Sequence, residues 1–504
     1  MNLRKREILQ GYKQGITDFQ DANLRGLSFK GEDLSGVDFS FADIRGTNFS
    51  GANLTRAKFC GAKAGLQKRW VVILLASIFV LVFISGFFNI FTSFFISLIF
   101  DPINIDNQVS GWGALIVILI FWITFIYKGI ENSAFAFAVA VAFAFAVAVA
   151  VAVVGPFTVA VAVTFALAIA VAVAFAFAFA LALAIALAIA VAVAVAGAFA
   201  FAFVVAIAFA FAVAFAFVGA FVGALAPLDI VGYHDLTFLG AGAFVIAILI
   251  AFAFAGLQTL LSAYVAYRTI KEDEKYTFIR NIAIAFAAIG GTSFTDANLT
   301  DADFTNATLK STDFIGANIT RTCWKDTIKL DRIRPGKTYL KDAKVRELVR
   351  TGQGKNINLN RSDLQGINLQ GTNLTNASFI EANLNSANLQ DANLSRAKLV
   401  GTFLDLADLT GATLTGAFLE DWGITTTTKL DGIKCDYVYM RLPPKKRPDF
   451  LKLSPKDTLN DNPLREPANW KRKFKEGEFV DFITPMIETL NFDHTEKVDP
   501  QIDP

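Results

Sequence analysis

From Ile16 to Cys60 the chain reads ITDFQ DANLR GLSFK GEDLS GVDFS FADIR GTNFS GANLT RAKFC. A large apolar residue returns every five positions: Phe19, Leu24, Phe29, Leu34, Phe39, Ile44, Phe49, Leu54, Phe59. Two positions before it a small residue often stands, as at Ala22, Ala42 and Ala52. The pattern returns at Phe294, Leu299, Phe304, Leu309, Phe314, Ile319 and Trp324, and it runs longest from Leu359 through Leu384 to Leu419. A period of five fits neither a helix, at about 3.6, nor a plain strand, at about 2. It fits a chain that turns a corner every five residues and sends one large and one small side chain inward from each edge. Disorder would not hold the large residue in strict register.

With nearly thirty such positions, the chain resembles the pentapeptide-repeat family, whose repeat is A-(D/N)-L-x-x. The resemblance implies a right-handed, four-sided β-helix. Four repeats then make a coil, and coils stack at about 4.8 Å. The Leu/Phe ladder becomes the core. Asn and Asp just before it, as at Asn383, Asn388 and Asn393, are expected to favour the corners, because they tolerate tight backbone angles and hydrogen-bond locally. A narrower resemblance covers about 331–491, in VRELVRTGQGKN, GATLTGAFLEDWGITTTTKLDGIKCDYVYM and FKEGEFVDFI. These are similar to a group of cyanobacterial pentapeptide-repeat proteins with no agreed activity, so no functional residue carries over. Trp422 stands at a small-residue position, and Lys429 to Met440 reads as a cap over the last coil, since an open solenoid end is a sheet edge.

The middle differs in kind. Hydrophobic residues make up 54 % of the chain and charged ones 18 %, and Asn132 to Leu228 holds no Asp, Glu, Lys, Arg or His. Water does not favour such a stretch, whereas a bilayer takes about 20 apolar residues per helical span. Spans are expected at 70–100, 113–127 and 238–267. Between them lies an Ala-X alternating run, 134–220, read as helices because both of its faces are apolar and a membrane barrel needs a polar lumen; strand is the alternative. Lys63, Lys68 and Arg69 precede the first span and Arg268 and Lys271 follow the last. By the positive-inside rule this predicts an integral, multi-pass protein with both termini cytoplasmic.

The expected organisation is an N-terminal repeat segment at 1–62 and a transmembrane region at 70–268. A second repeat segment follows at 285–324, then a basic linker at 325–355, a solenoid at 356–424, and a C-terminal cap and tail at 425–504. The fold class is mixed: β-helix segments flanking a multi-span α-helical membrane region.

The basic linker holds ten Lys/Arg against four Asp/Glu. Lys337, Lys341, Lys344, Arg346 and Arg350 are candidate contacts to anionic lipid headgroups. The competing reading is a solvated segment that packs Val345, Leu348 and Val349 onto the solenoid. Lys445, Lys446 and Arg447 read as a plain linker, and Glu478 to Leu490 as an amphipathic docking helix that Pro485 would kink or split. Two histidines and three scattered cysteines argue against a histidine-based metal site or triad and against a disulfide framework. The cysteines suit a reducing compartment. Glu420–Asp421 lies at a repeat end with no pocket implied, and no phosphate loop, zinc spacing or nucleophile elbow occurs. No catalytic residue and no cofactor are expected.

The function expected is a membrane-anchored, non-enzymatic scaffold for protein–protein contact at the cytoplasmic face. Its partners would be membrane lipids and a protein of unknown identity, with no nucleic acid. Two alternatives stand beside it. One is a component of lipid or glycolipid export or deposition, because spans plus pentapeptide repeats are similar to a cyanobacterial protein of that kind. The other is a DNA-mimicking topoisomerase binder, which needs an acidic surface; residues 359–424 carry three Lys/Arg against seven Asp/Glu.

Overall fold

A corner every five residues demands a backbone that reverses at a fixed point in each repeat. In a computed structural model that describes residues 4–67, 288–451 and 462–495, with isolated positions between 69 and 285, that point is two residues after the core residue. Asp21, Gly26, Gly31 and Gly36 all have positive φ there, as do Asn376, Glu381, Ser386 and Asp391 in the later repeats. The core carbonyl accepts from the amide three positions on, as in Ala22 N–H to Phe19 O at 3.3 Å. This is the type II turn, whose third residue favours Gly or Asn. The tight angle therefore belongs to that corner position and not, as expected, to the Asn/Asp before the core residue. Those side chains do bond locally. The Gln20 amide donates to Asp18 Oδ1 at 3.1 Å and the Gln390 amide to Asn388 Oδ1 at 3.1 Å.

Parallel bridges connect residues 20 positions apart: Asp18 to Asp38, Asn23 to Asp43, Asn373 to Asn393. Four repeats therefore close one coil. The Leu/Phe ladder and the Ala positions between are buried, from Leu24 at 0 % exposure to Leu419 at 0 %. They belong to one contiguous core cluster.

The N-terminal and central blocks are one stack. Asn48 bridges Ser293, Asn53 bridges Asn298 and Lys58 bridges Asp303. The Phe49 amide donates to Ser293 O at 2.7 Å and the Phe59 amide to Asp303 O at 2.7 Å. Aromatic columns run straight across. Phe49 stacks on Phe294 at 5.2 Å, and Phe294 on Phe314 at 5.2 Å. On the next face Phe59 stacks on Phe304 at 4.8 Å and Phe304 on Trp324 at 5.1 Å. At Gly65, where the chain leaves the stack, φ is +124° and an added Cβ would lie 2.6 Å from Lys310 O, so only glycine fits against the next coil.

The chain divides into two units. One is Met1–Gly65 together with Gly291–Pro504, and the other is Leu66–Gly290. The solenoid is the first of these.

Past Trp324 the stack continues into the basic linker, where Ile328 bridges Thr308 and Arg334 bridges Asp313. Trp324 Nε1 donates to the buried Tyr339 hydroxyl at 3.0 Å, and that hydroxyl donates to Ile319 O at 3.3 Å. Helix Ala343–Thr351 starts on an Asp342 cap and ends at Gly352 with positive φ. It buries Val345, Leu348 and Val349 on the solenoid. The Arg321 amide then donates to Gly366 O at 2.6 Å, which joins the last block to the first stack.

Both ends are closed by helices. At the start, Lys5–Lys13 buries Ile8 in the core, and Tyr12 donates to Ser35 O at 2.8 Å. At the far end the segment read as a cap is a further coil: Lys429, Lys434 and Tyr439 bridge Asp408, Thr413 and Phe418. The edge beyond is covered in two ways. Arg465–Glu466 pairs antiparallel with Val438–Tyr439. Helix Glu478–Thr495, unbroken at Pro485, buries Phe479 and Ile483, with Phe479 6.5 Å from Trp422. A paired or covered edge does not recruit further strands.

The β-helix part of the expected fold class stands; the transmembrane part does not. Three α-helices lie wholly within the described stretches, Lys5–Lys13, Ala343–Thr351 and Glu478–Thr495. No described helix is long and apolar enough to cross a membrane. The multi-span region, and the integral multi-pass location with both termini cytoplasmic that followed from it, are therefore unsupported. Hydropathy and flanking charge report composition, and composition alone does not make a spanning helix. The expected spans at 70–100, 113–127 and 238–267 and the alternating run at 134–220 lie, isolated positions apart, outside the described residues.

Candidate interaction surface

A solenoid with a filled core presents only its faces, corners and ends. In the last block the outward residues on either side of each core residue form columns with a 20-residue step. One column pair flanks Leu359, Phe379, Leu399 and Leu419. It carries Ile380, Val400 and Phe418, which are buried with Leu442 in a small outer cluster. The segment 441–451 covers them. Arg447 reaches Glu420 Oε1 at 2.5 Å and Leu442 O at 3.0 Å, and the Leu442 amide donates to Glu420 Oε2 at 2.7 Å. Lys446 Nζ lies 4.8 Å from the Phe418 ring centroid and Arg361 Cζ 3.8 Å from that of Phe450. The cluster read as a plain linker is thus a strap, and Glu420 is its anchor.

The neighbouring face, flanking Leu364, Leu384, Leu404 and Ile424, is open. It presents Asp363, Gln365, Asn383 and Asn385, then Phe403 and Asp405. Phe403 is 56 % exposed and Leu406, at the adjoining corner, is also 56 % exposed. Leu406 sits at φ 57°, a left-handed conformation that costs an L-residue about 1–2 kcal/mol. The surroundings hold it there. The Leu406 amide donates to Thr427 Oγ1 at 3.1 Å. The Thr427 and Thr425 hydroxyls donate to Asp405 Oδ1 at 2.6 and 2.8 Å and keep that carboxyl below its usual range. Phe41 repeats the signature in the first block, 59 % exposed at φ 59°.

The five linker cations stand in different settings. Lys337, Lys341 and Lys344 are exposed. Arg346 is buried and donates to Leu340 O at 2.8 Å and Lys341 O at 3.1 Å, tying the helix to the turn before it. Arg350 pairs with Glu347 at 2.7 Å. The three cysteines are free thiols of intermediate exposure. Burial, then the Asp303 carboxylate, pushes Cys60 up to about 11; burial, then Asp436, pushes Cys435 up to about 12. Such thiols are poor nucleophiles. Among the described residues no group of His, Cys, Asp and Glu could hold a metal ion.

A family model described as pentapeptide repeats matches eight copies, at residues 17–56, 289–323, 357–396 and 387–421. These segments belong to the pentapeptide-repeat family. The matches do not show the narrower resemblance to cyanobacterial membrane proteins. No curated protein matches the sequence. Similar solved structures are themselves pentapeptide-repeat proteins. HetL, involved in heterocyst differentiation regulation in Nostoc sp. strain PCC 7120, is 14 % identical over 87 % of this chain and 97 % of its own, at a TM-score of 0.16. A protein from the cyanobacterium Cyanothece 51142 is 26 % identical over 29 % of this chain and 60 % of its own, at 0.08. One from the Arabidopsis thaliana thylakoid lumen is 23 % identical over 18 % and 63 %, at 0.09. The matched stretch spans less than two thirds of the Cyanothece and Arabidopsis chains. The fold is fixed by the register of the coils, with parallel bridges such as Asp18 to Asp38. For this pentapeptide-repeat chain, sequence reasoning found the ladder but missed Phe403 and Leu406. The available signals were an apolar residue before the core residue, where Asn or Asp is common (Phe403), and one at a corner, where Gly, Asp or Asn is common (Leu406).

Proposed function

We propose that this chain is a non-enzymatic scaffold whose open face, centred on Phe403 and Leu406, docks a protein partner. The observation that carries the reading is two large apolar side chains, each 56 % exposed, fixed on a rigid sheet face. Aromatic anchors ringed by hydrogen-bonding groups dominate protein interfaces, and Gln365, Asn383 and Asn385 supply such groups here. Pre-organisation supports it too, because the Asp405–Thr425–Thr427 network holds the corner before any partner arrives and so lowers the ordering cost of binding. Glycolipid export loses its footing with the spanning helices. The acidic-surface reading gains no observation, since Asp408 is engaged by Gln390 and Lys429.

The test is affinity capture by the full chain beside a Phe403→Ser/Leu406→Ser double variant with the same thermal melt. The expected result is a protein held by the parent and lost by the variant, with the loss repeated when the purified pair is titrated. An identical set of retained proteins from both baits would overturn the reading.

A further inference from the structure

Four observations meet at one corner of the third coil. The first is register. Asn48 bridges Ser293, 245 positions on; leaving out the 225 residues of 66–290 restores the 20-residue step of the neighbouring coils, as at Asp18–Asp38 and Asn298–Asn318. The second is the inward threonines. Thr47, Thr322 and Thr402 each donate to the core carbonyl 23 positions back, Leu24 O, Leu299 O and Phe379 O, at 2.7 to 2.9 Å. Thr292 does the same to Ile44 O at 2.7 Å, across the intervening segment. The third is closure. The Gly46 amide donates to Gly65 O at 2.8 Å and the Gly65 amide to Thr292 Oγ1 at 3.0 Å, so the two ends meet within hydrogen-bond reach.

The fourth is a defect. By the same 23-residue rule Thr312 should donate to Ala64 O, beside the point where the chain leaves. Among the described residues the only buried side-chain polar atoms without a partner are Thr312 Oγ1 and its neighbour Ser311 Oγ. Elsewhere the lattice satisfies itself, as native interiors do, and the fault lies at the splice.

We infer that residues 66–290 are an in-register insertion, and that the solenoid is a clasp that closes on the insertion's two ends whatever lies between them. Three features mark the clasp. The third coil takes Phe59 from one flank and Phe294 from the other. Its closing contacts join Gly46 to Gly65, and both Gly65 and Ile44 to Thr292. Its phase is set by stacking on the coils above and below rather than by running count through the insertion. Chain ends that lie close together are where chains accept inserted segments.

The test uses amide exchange over 47–60 and 292–304, where protection requires the two flanks to be paired. In the full chain, seven Gly/Ser residues added after Gln67 should leave that protection unchanged. Loss of protection would mean that the segment's length sets the register, and would overturn the inference. A second pair of variants covers autonomy. Deleting 66–290, with Gly65 joined to Gly291, should retain protection and a cooperative melt. Deleting 66–292, which removes two lattice residues, should lose protection in the third coil. An unfolded first deletion, or equal protection in both, would also overturn the inference.

Discussion

Leu384→Asp should abolish the cooperative unfolding transition of the last block, while Asn385→Asp, one residue along, should leave it within about 0.5 kcal/mol of the parent, as surface changes usually do. Leu384 is 0 % exposed, and every neighbour of its side chain in the ladder is apolar. A carboxylate placed there has neither water nor a partner, and burying an unpaired charge exceeds what a domain of marginal stability can absorb. Leu384→Ala removes atoms without adding charge and should cost about 2–5 kcal/mol, depending on how far the coil collapses into the space. Asn385 points outward, and its Oδ1 accepts from the Asp405 amide at 2.8 Å. A carboxylate oxygen can accept the same bond. Urea unfolding of the full chain, followed by circular dichroism, checks the series. Equal midpoints for all three would contradict the five-residue core.

The second large effect is at Phe304. Its ring stacks on Phe59 at 4.8 Å below and Trp324 at 5.1 Å above, and meets Phe294 and Phe314 edge-on at 5.5 and 6.0 Å. Phe304→Ala should cost about 3–5 kcal/mol, at the upper end because aromatic pairs contribute about 0.5–1.5 kcal/mol beyond area. Since Phe59 lies on the far side of the insertion, the N-terminal coils should loosen with the central ones. Phe403→Ala, at an exposed position, should stay within about 0.5 kcal/mol. Independent melting of the N-terminal and central coils in Phe304→Ala would mean that they do not share a core.

Much of this was legible in the sequence. The core ladder, the small position and the local bonding of Asn/Asp follow from the period of five. The apolar side of the linker helix and the docking of Phe479 and Ile483 follow from helical spacing. What failed to show was contact at a distance. The phase of the ladder is the same at Phe59 and Phe294, and that agreement is visible in the numbering. It does not by itself say that Phe49 and Phe294 touch, because the loop-closure term rises only slowly with length. The strap was hidden for a similar reason. Ile380 and Val400 are outward residues 20 apart and so stacked, which turns two isolated apolar residues into a stripe that Leu442 covers. The N-terminal helix was passed over because KREILQGYK is polar except on the side that carries Ile8 and Tyr12. The membrane reading went wrong in the other direction, where composition was taken as architecture.

The central claim is that one solenoid stack runs through residues 16–65 and 291–334. It is tested most directly by a disulfide across the splice in the full chain, with Cys60, Cys323 and Cys435 first changed to Ser. Asn48 and Ser293 are bridge partners on adjacent parallel strands, and outward side chains at that spacing lie within reach of a disulfide. Under mild oxidation Asn48→Cys/Ser293→Cys should cross-link almost fully, and Asn48→Cys/Asn298→Cys, one repeat out of register, should not. Equal yields from the two pairs, or none from the first, would contradict the continuous stack.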